Sequence, residues 1–508
     1  MFILVGRLVD IEKAADFLDE KPEKIERIIK LYCESGDVET VKVFLCPVDH
    51  EPIETKDTSG QFFCDLCQSS YIPFNCKKDI WYRPLHSAPR TTINPSGTLP
   101  TTIPTEFQEK FDAAFLKDPF QHTSLLSYFS QSLKDKPLNG KRILSLLHFL
   151  RDLVPFVEAM KRLGMDVKTS HFYFKDYPYP QGDTIKRWLE EQGCIVRSFR
   201  DLDTDLGALE RRSTEHIGDI LIVEDGGHIY PHILQKYPKL LAQVRGCVEQ
   251  TTRGSRNITT VLKETARGEK IPVLSVADSE LKRTFEPPHV AAAVVQNIKN
   301  FLPDVNFRGK KAGLLGYGSI GEKIAERLRF ESMKVTIYDA DQEKLLKASQ
   351  EGYEIARTSR ELVRNSSLII GSSGNLTIGR NEILELQHGA YLVSASSEQY
   401  EFCIGELINL SGGREEKLII NGRIVGTKYV IRRYDNPEIF LLADGYPINF
   451  WGMESMPNQA SDLVLTLLLL PLVELSQGNL KHGGLDAESV NEIAKKYQLA
   501  ELYRKFCG

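Results

Sequence analysis

The stretch AGLLGYGSIGEKIAERL at 312–328 carries residues whose types and spacing could do chemistry. An apolar run leads into Gly316-Tyr317-Gly318-Ser319-Ile320-Gly321, and an amphipathic pattern follows. Gly316 permits a tight turn, Gly318 lets a pyrophosphate approach the backbone, and Gly321 lets a helix pack on a strand. The phosphates would then lie on the helix N-terminus at Ser319 and Ile320, where unpaired N–H groups favour anions. A second apolar run, KVTIYD, ends at Asp339, eighteen residues past Gly321. An acid there accepts from ribose hydroxyls and repels a 2′-phosphate, so the pattern predicts a site for NAD in preference to NADP.

A second group lies near the N-terminus. Cys64-Asp-Leu-Cys67 follows Cys46 and His50, and Asp49 and Cys76 are close by. Two loops carrying soft thiolates and an imidazole can complete a tetrahedral zinc site. Cys46, His50, Cys64 and Cys67 are the expected ligands, with Asp49 or Cys76 as alternatives to His50. Four protein ligands make such a site structural, a staple for a small domain with a thin core. A third group is IVEDGGHIYP at 222–231, where an apolar run delivers Asp225 and a glycine pair. Asp and Gly are also common turn formers, so this stretch alone admits a plain turn.

The elements that must position these groups are legible in the pattern. IEKAADFLDEKPEKIERIIKLYCESGDV holds two helical stretches, 11–19 and 22–35, and TVKVFLC follows as a strand. Helix, helix, strand predicts a winged-helix arrangement beside a zinc ribbon over 1–85. Residues 86–105, HSAPRTTINPSGTLPTTIPT, read as a linker. Beyond it, helical patterns alternate with ILIVE, IPVLSV, AGLLGYG, KVTIYD, SLIIG and AYLVSA, which predicts α/β units on a mostly parallel sheet. The expected division is a substrate domain at 106–290, an inserted Rossmann-type NAD domain at 291–448 and a return with a tail at 449–508. The apolar run LVLTLLLLPLVEL at 463–475 is too short for a bilayer and predicts a buried helix.

Composition bounds the function classes. The net charge is −5, and residues 1–86 hold 11 basic against 16 acidic side chains. That balance disfavours nucleic acid and points the winged-helix module toward a protein partner. Nine scattered cysteines do not form a disulfide framework and suit a reducing cytoplasm. The N-terminus lacks a basic n-region, so no signal peptide is expected.

From about residue 140 to 475 the chain resembles the S-adenosylhomocysteine hydrolase family. LLHFLRDLVPFVEAMKRLGMDV at 146–167 is similar to a family helix and following strand. EDGGH at 224–228, VEQTTRGS at 248–255, ADSELKRTFE at 277–286, GYGSIG, EGYEI at 351–355 and LLADGYPIN at 441–449 follow in the family's order. The resemblance implies reversible 3′-oxidation of a nucleoside by tightly held NAD, elimination at the 5′-position, and a homo-oligomer. It places His148 and Asp225 as an acid–base pair and Lys282 as the residue assisting oxidation. Glu286 stands where the family has aspartate. Thr251, Thr252, Asn375 and Asn449 fall on cofactor-binding positions.

The resemblance also exposes departures. Gln250 replaces a glutamate that binds sugar hydroxyls, with Glu249 adjacent. Pro287 replaces an asparagine, Ser397 a histidine, and Met456 a histidine at the adenine pocket. Leu150 and Asp152 replace a threonine and a glutamate of that pocket, on the same expected helix as His148. The family's C-terminal lysine and tyrosine are not evident in ELYRKFCG. Groups for oxidation and elimination are mostly kept, while base-recognising groups change. The expectation is therefore NAD-dependent chemistry on a 5′-substituted nucleoside with altered base recognition, with Asp152, Gln250 and Met456 facing substrate. The alternatives are an NAD- or nucleoside-binding regulator without turnover and a plain dehydrogenase.

Overall fold

The computed structural model describes residues 62–64, 69–75 and 80–84 by backbone, and 115–507 apart from 178, 213–218, 266–270, 397–398, 421–422, 479 and 481–483. Residues 423 and 484 are described by backbone alone. The chain divides into two compact units, one formed by 1–99 with 404–413 and the other by 100–403 with 414–508.

In the first unit the described strands are β1 (Phe62–Cys64), β2 (Ser69–Asn75) and β3 (Ile80–Pro84), paired antiparallel in that order. A helix at Ile404–Ser411 belongs to the same unit. The expected helices at 11–19 and 22–35, the linker at 86–105, and Cys46, His50 and Cys67 lie outside the described residues. Cys64 is the last residue of β1, described by backbone only.

The second unit is an α/β structure built on two doubly wound sheets. The first contains β4 (Arg142–Leu146), β5 (His171–Phe174), β6 (Ile195–Ser198), β7 (Ile220–Glu224), β8 (Val244–Glu249), β9 (Pro272–Ser275) and β18 (Gly484–Asp486). Its spatial order is β18-β9-β8-β7-β4-β5-β6, and every pairing is parallel. Arg142–Leu146 and Ile220–Glu224 are buried along their whole length, as strands covered on both faces must be.

The second sheet contains β10 (Lys311–Leu315), β11 (Lys334–Tyr338), β12 (Glu354–Ile355), β13 (Leu368–Gly371), β14 (Ala390–Ser394), β15 (Glu415–Ile420), β16 (Arg423–Val430) and β17 (Glu438–Leu442). Its order is β12-β11-β10-β13-β14-β17-β16-β15, with the last two pairings antiparallel. The six parallel strands carry the 3-2-1-4-5-6 order of a dinucleotide-binding sheet. In each sheet the winding reverses between two central neighbours: β4 and β7 in the first, β10 and β13 in the second. Ligands of open α/β sheets bind at such reversals, beyond the strands' carboxyl ends.

Seven helices bear on the site: α1 (Ser124–Ser132), α2 (Leu153–Arg162), α3 (Ile229–Lys236), α4 (Thr252–Glu264), α5 (Glu280–Phe301), α6 (Ser319–Phe330) and α7 (Asn458–Ser476). The apolar run at 463–475 lies in α7, which is long and apolar enough to cross a membrane yet has 89% of its apolar window buried inside the protein. Its leucines join the core of the first sheet. α5 contains Pro287 and Pro288, which cannot donate to the carbonyls four residues back. Those prolines separate the turns carrying Lys282 and Glu286 from the part that packs in the second core.

His148 does not lie on a helix. The expected helical stretch divides into β4, which ends at Leu146, and α2, which starts at Leu153, and His148 sits in the turn between them. Pro155 marks the start of α2, because a first-turn residue needs no intrahelical N–H partner.

α7 also supports α1. Thr123 makes no side-chain cap, and the Leu125 and Leu126 N–H groups donate instead to the Asp462 carboxylate at 2.7 and 3.0 Å. Burial pushes the Asp462 carboxyl up to about 7, against the pull of the two amides. A carboxyl whose pKa is raised by folding contributes stability that is full below about pH 4 and lost as pH rises through about 7. Asp462→Asn removes that loss. The variant's Tm relative to the parent should climb by a few degrees, roughly 2–4 °C, between about pH 5 and pH 8. Thermal melts across that range check it, and a constant difference contradicts it.

Candidate functional site

The carboxyl ends of both sheets open on one cavity of about 890 Å³, within the size range of small-molecule and cofactor sites. Its lining includes His148 after β4, Asp225 after β7, Gln250, Thr251 and Thr252 after β8, and Lys282 and Glu286 on α5. From the second sheet come Gly316, Gly318, Ser319 and Ile320 after β10, Asp339 after β11 and Asn375 after β13. Asp152, Asn449 and Met456 complete the set foreseen from sequence. Gly321 stands behind the others, packed against Gly316. Ser397 lies outside the described residues.

Asp225 is held by three structural choices. The buried β7 ends at Glu224, whose carboxylate accepts from the N–H groups of His228, Ile229 and Tyr230 at the start of α3. Gly226 and Gly227 then turn with φ of +106° and +62°. A Cβ on Gly227 would meet the Gly254 carbonyl oxygen at 2.5 Å, so only glycine fits where this turn crosses α4. Glu249 ties the turn down: its Oε1 accepts from the Gly226 N–H at 3.1 Å and from the Thr251 N–H and hydroxyl at 2.7 Å each. Its Oε2 accepts from the Gly227 N–H at 2.9 Å.

Glu249 is therefore a brace between two loops, and it was not foreseen as one. Burial pushes its carboxyl up, and the charges of Glu224 and Asp225 push the same way. Glu249→Gln would turn an amide NH2 toward converging N–H donors. The expected loss is about 1–3 kcal/mol of stability, read by a denaturant or thermal melt.

The Asp225 carboxylate divides its two oxygens. Oδ1 accepts from Lys175 Nζ at 2.8 Å, and Oδ2 lies 3.1 Å from His148 Nε2. Burial alone would raise the Asp225 pKa, but Lys175 and His148 hold it well below the usual carboxylate range. His148 Nδ1 is 2.6 Å from the Tyr179 hydroxyl, and the imidazole stacks on Phe450 at 3.9 Å between ring centres. Lys175, Tyr179 and Phe450 were not foreseen. FKDYPYP reads as an ordinary loop until β5 is paired beside β4.

Across the cavity, Lys282 Nζ donates to the Gln250 carbonyl at 2.7 Å and lies 3.3 Å from Glu286 Oε2 one turn on. An ammonium is thereby fixed between the two strand-end clusters. The far end of the cavity is apolar, with Leu150, Leu153, Met456, Val464 and Leu465 around Asp152 and Ser461. Burial raises the Asp152 carboxyl to about 6, with Ser461 opposing. Next to Arg151, burial and then Asp152 raise Glu454 to about 8. Glu454 was not foreseen.

The residues beside β10 fit a dinucleotide. Gly316 turns with φ of +100°, and a Cβ there would meet the Ser373 nitrogen at 2.7 Å. A Cβ on Gly321 would meet the Gly316 carbonyl oxygen at 2.2 Å, so α6 starts in direct contact with the turn. A Cβ on Gly318 would meet nothing within 4 Å, which is the open space a pyrophosphate needs. Asp339 is oriented by the N–H groups of Tyr317 and Asp341, at 2.7 and 2.9 Å. Asn449 donates to Ser455 at 2.9 Å, and its Oδ1 is buried with no hydrogen-bond partner among the described residues. That acceptor suits the NH2 of a carboxamide. Glu401 holds the loop after β13 by accepting from the Gly374 N–H at 2.7 Å and the Thr377 hydroxyl at 3.0 Å.

Residues 290–451 match the family model for the NAD-binding domain of S-adenosyl-L-homocysteine hydrolase. The chain is 26% identical over 352 residues to the adenosylhomocysteinase of Sulfurisphaera tokodaii, covering 67% of this chain and 78% of that relative. It is 25% identical over 338 residues to the adenosylhomocysteinase of Sulfolobus acidocaldarius, covering 65% and 76%. Among solved structures, a 2-hydroxyacid dehydrogenase from Ketogulonicigenium vulgare Y25 aligns with a TM-score of 0.38 and 16% identity, over 69% of this chain and 99% of that one.

Proposed function

Because the chain is a divergent member of the S-adenosylhomocysteine hydrolase family, we propose that it performs NAD-dependent 3′-oxidation and 5′-elimination on a 5′-substituted nucleoside whose base differs from adenine. The observation that carries this reading is one cavity lined both by a glycine cradle with open space at Gly318 and by the His148–Asp225 pair, which Lys175 backs from behind the lining. Gly316, Gly318, Ser319, Ile320 and Asp339 would hold the dinucleotide, with Thr251, Thr252, Asn375 and Asn449 toward its nicotinamide end. NAD, when bound, supplies a reversible acceptor for a hydride.

This chain's own residues would do the rest. Lys282, fixed on the Gln250 carbonyl and Glu286, first passes a proton to the Glu286 carboxylate and, as the neutral amine, takes the proton from the sugar 3′-hydroxyl. An oxidised 3′-carbon makes the neighbouring C–H acidic, and His148, steadied by Asp225, moves protons on the 4′- and 5′-side. Leu147, Leu150, Leu153 and Leu465 exclude water from the cleft. Asp152, Gln250 and Met456 contact substrate. Asp152 selects a base that presents a hydrogen-bond donor or a positive edge, because it is the carboxyl in an otherwise apolar pocket end.

The test is to incubate the purified chain with S-adenosylhomocysteine and a panel of nucleosides varied in base and 5′-group, and to follow leaving-group release by mass spectrometry. Release from a nucleoside with an altered base, faster than from S-adenosylhomocysteine, supports the proposal. Release from S-adenosylhomocysteine alone defeats the altered-base part. The proposal extends to a structural zinc on Cys46, His50, Cys64 and Cys67, checked by metal analysis of the intact chain.

A further inference from the structure

We infer that Lys175 is a positioning residue that neutralises Asp225 and so keeps His148 uncharged and able to accept a proton. The inference rests on the reading of His148 as an acid–base group. Two facts of placement support it. The Lys175 side chain is 0% exposed, and its Nζ sits on the Asp225 oxygen that His148 does not use. In a dry site, a carboxylate beside an imidazole attracts a proton to the ring. The resulting imidazolium has no lone pair and cannot act as a base. A second cation on the same carboxylate removes that attraction.

The contacts of the ring fit the same protonation state. A carboxylate only accepts, so the His148 nitrogen facing Asp225 carries the hydrogen. The other nitrogen then accepts from Tyr179, whose hydroxyl is pushed well above its ordinary pKa by burial and by Asp225. A neutral ring fits both neighbours, with Nε2 at ion-pair distance from Asp225 and Nδ1 at hydrogen-bond distance from Tyr179. The other charged groups around it are engaged elsewhere. Asp176, beside Tyr179, pairs with Arg200 at 2.9 Å. Glu224 is spent on the start of α3. Asp444, near Tyr446, accepts from Lys417 and Thr427. Phe450, Tyr177 and Tyr446 add aromatic surface without charge.

The test reads His148 directly, on the full chain saturated with NAD and labelled with 13C at the histidine Cε1. Loss of one signal in a His148→Gln sample assigns the resonance. Lys175→Met should raise the His148 titration midpoint by about one pH unit or more. Lys175→Gln, which keeps a hydrogen bond to Asp225 but no charge, should do the same and covers the case where methionine does not fold. Lys175→Arg should leave the midpoint near the parent's. In Lys175→Met with Asp225→Asn, both charges are gone and the midpoint should return toward the parent's. A midpoint that stays put or falls in Lys175→Gln overturns the inference, since a purely structural lysine would give that result. The titration needs no substrate, so absence of turnover bears on the proposed function and leaves this result readable.

Discussion

Lys282→Ala should lower nucleoside turnover by about 10²–10⁴-fold, the usual contribution of a positioned proton-transfer group, while bound NAD stays near the parental level. The side chain is buried, and its ammonium is held by one carbonyl and one carboxylate at 2.7 and 3.3 Å. Neither contact belongs to the glycine cradle or to Asp339. Its removal therefore takes away a charge inside the cleft without touching the groups expected to hold the dinucleotide. Leaving-group release and acid-released NAD, measured on one preparation, check both halves. Turnover at full rate would remove Lys282 from the mechanism. Loss of NAD with the lysine would make it a cofactor residue.

Gly318→Val should fold like the parent and lose NAD. Gly318 has φ of −83° and ψ of −171°, an extended backbone that valine adopts readily. Its Cβ meets no heavy atom within 4 Å, so the free fold has room for the side chain. The same room is where the pyrophosphate would lie over the start of α6. The expected result is an unchanged Tm for NAD-free protein and NAD affinity weaker by at least about 100-fold, roughly 3 kcal/mol. Gly321→Val is the contrast, because its side chain would strike the Gly316 carbonyl and harm the fold as well. Undiminished NAD binding by Gly318→Val would place the phosphates elsewhere.

These two positions differ in how openly the sequence displays them. Gly318 is visible because a glycine turn between a strand and a helix is a local pattern, complete within ten residues. The parallel strands are visible for a similar reason: buried on both faces, they read as unbroken apolar runs such as ILIVE and SLIIG. Lys175 is invisible because its meaning depends on which strands are neighbours. β5 lies beside β4 and one strand away from β7, and only that order brings Lys175 to Asp225, fifty residues later in the chain. Glu249 is hidden in the same way, since a strand-end acid shows no sign that four donors converge on it. His148 was misplaced on a helix because the apolar residues of β4, the turn and α2 run together without a polar break. Pro155 was the available signal for the helix start. The resemblance to one family pointed to side chains that the structure brings to one cavity, but it said nothing of the groups that hold them.

The central claim is that this cleft uses bound NAD to make a sugar C–H bond transiently acidic. The most direct measurement is exchange of the 4′-hydrogen of a 5′-substituted nucleoside in deuterium oxide, followed by proton NMR or mass spectrometry with the NAD-loaded chain. The account predicts deuterium at the 4′-carbon with at least one member of a varied panel, and no exchange with Lys282→Ala. Protein that holds NAD yet leaves every 4′-hydrogen in place would contradict it.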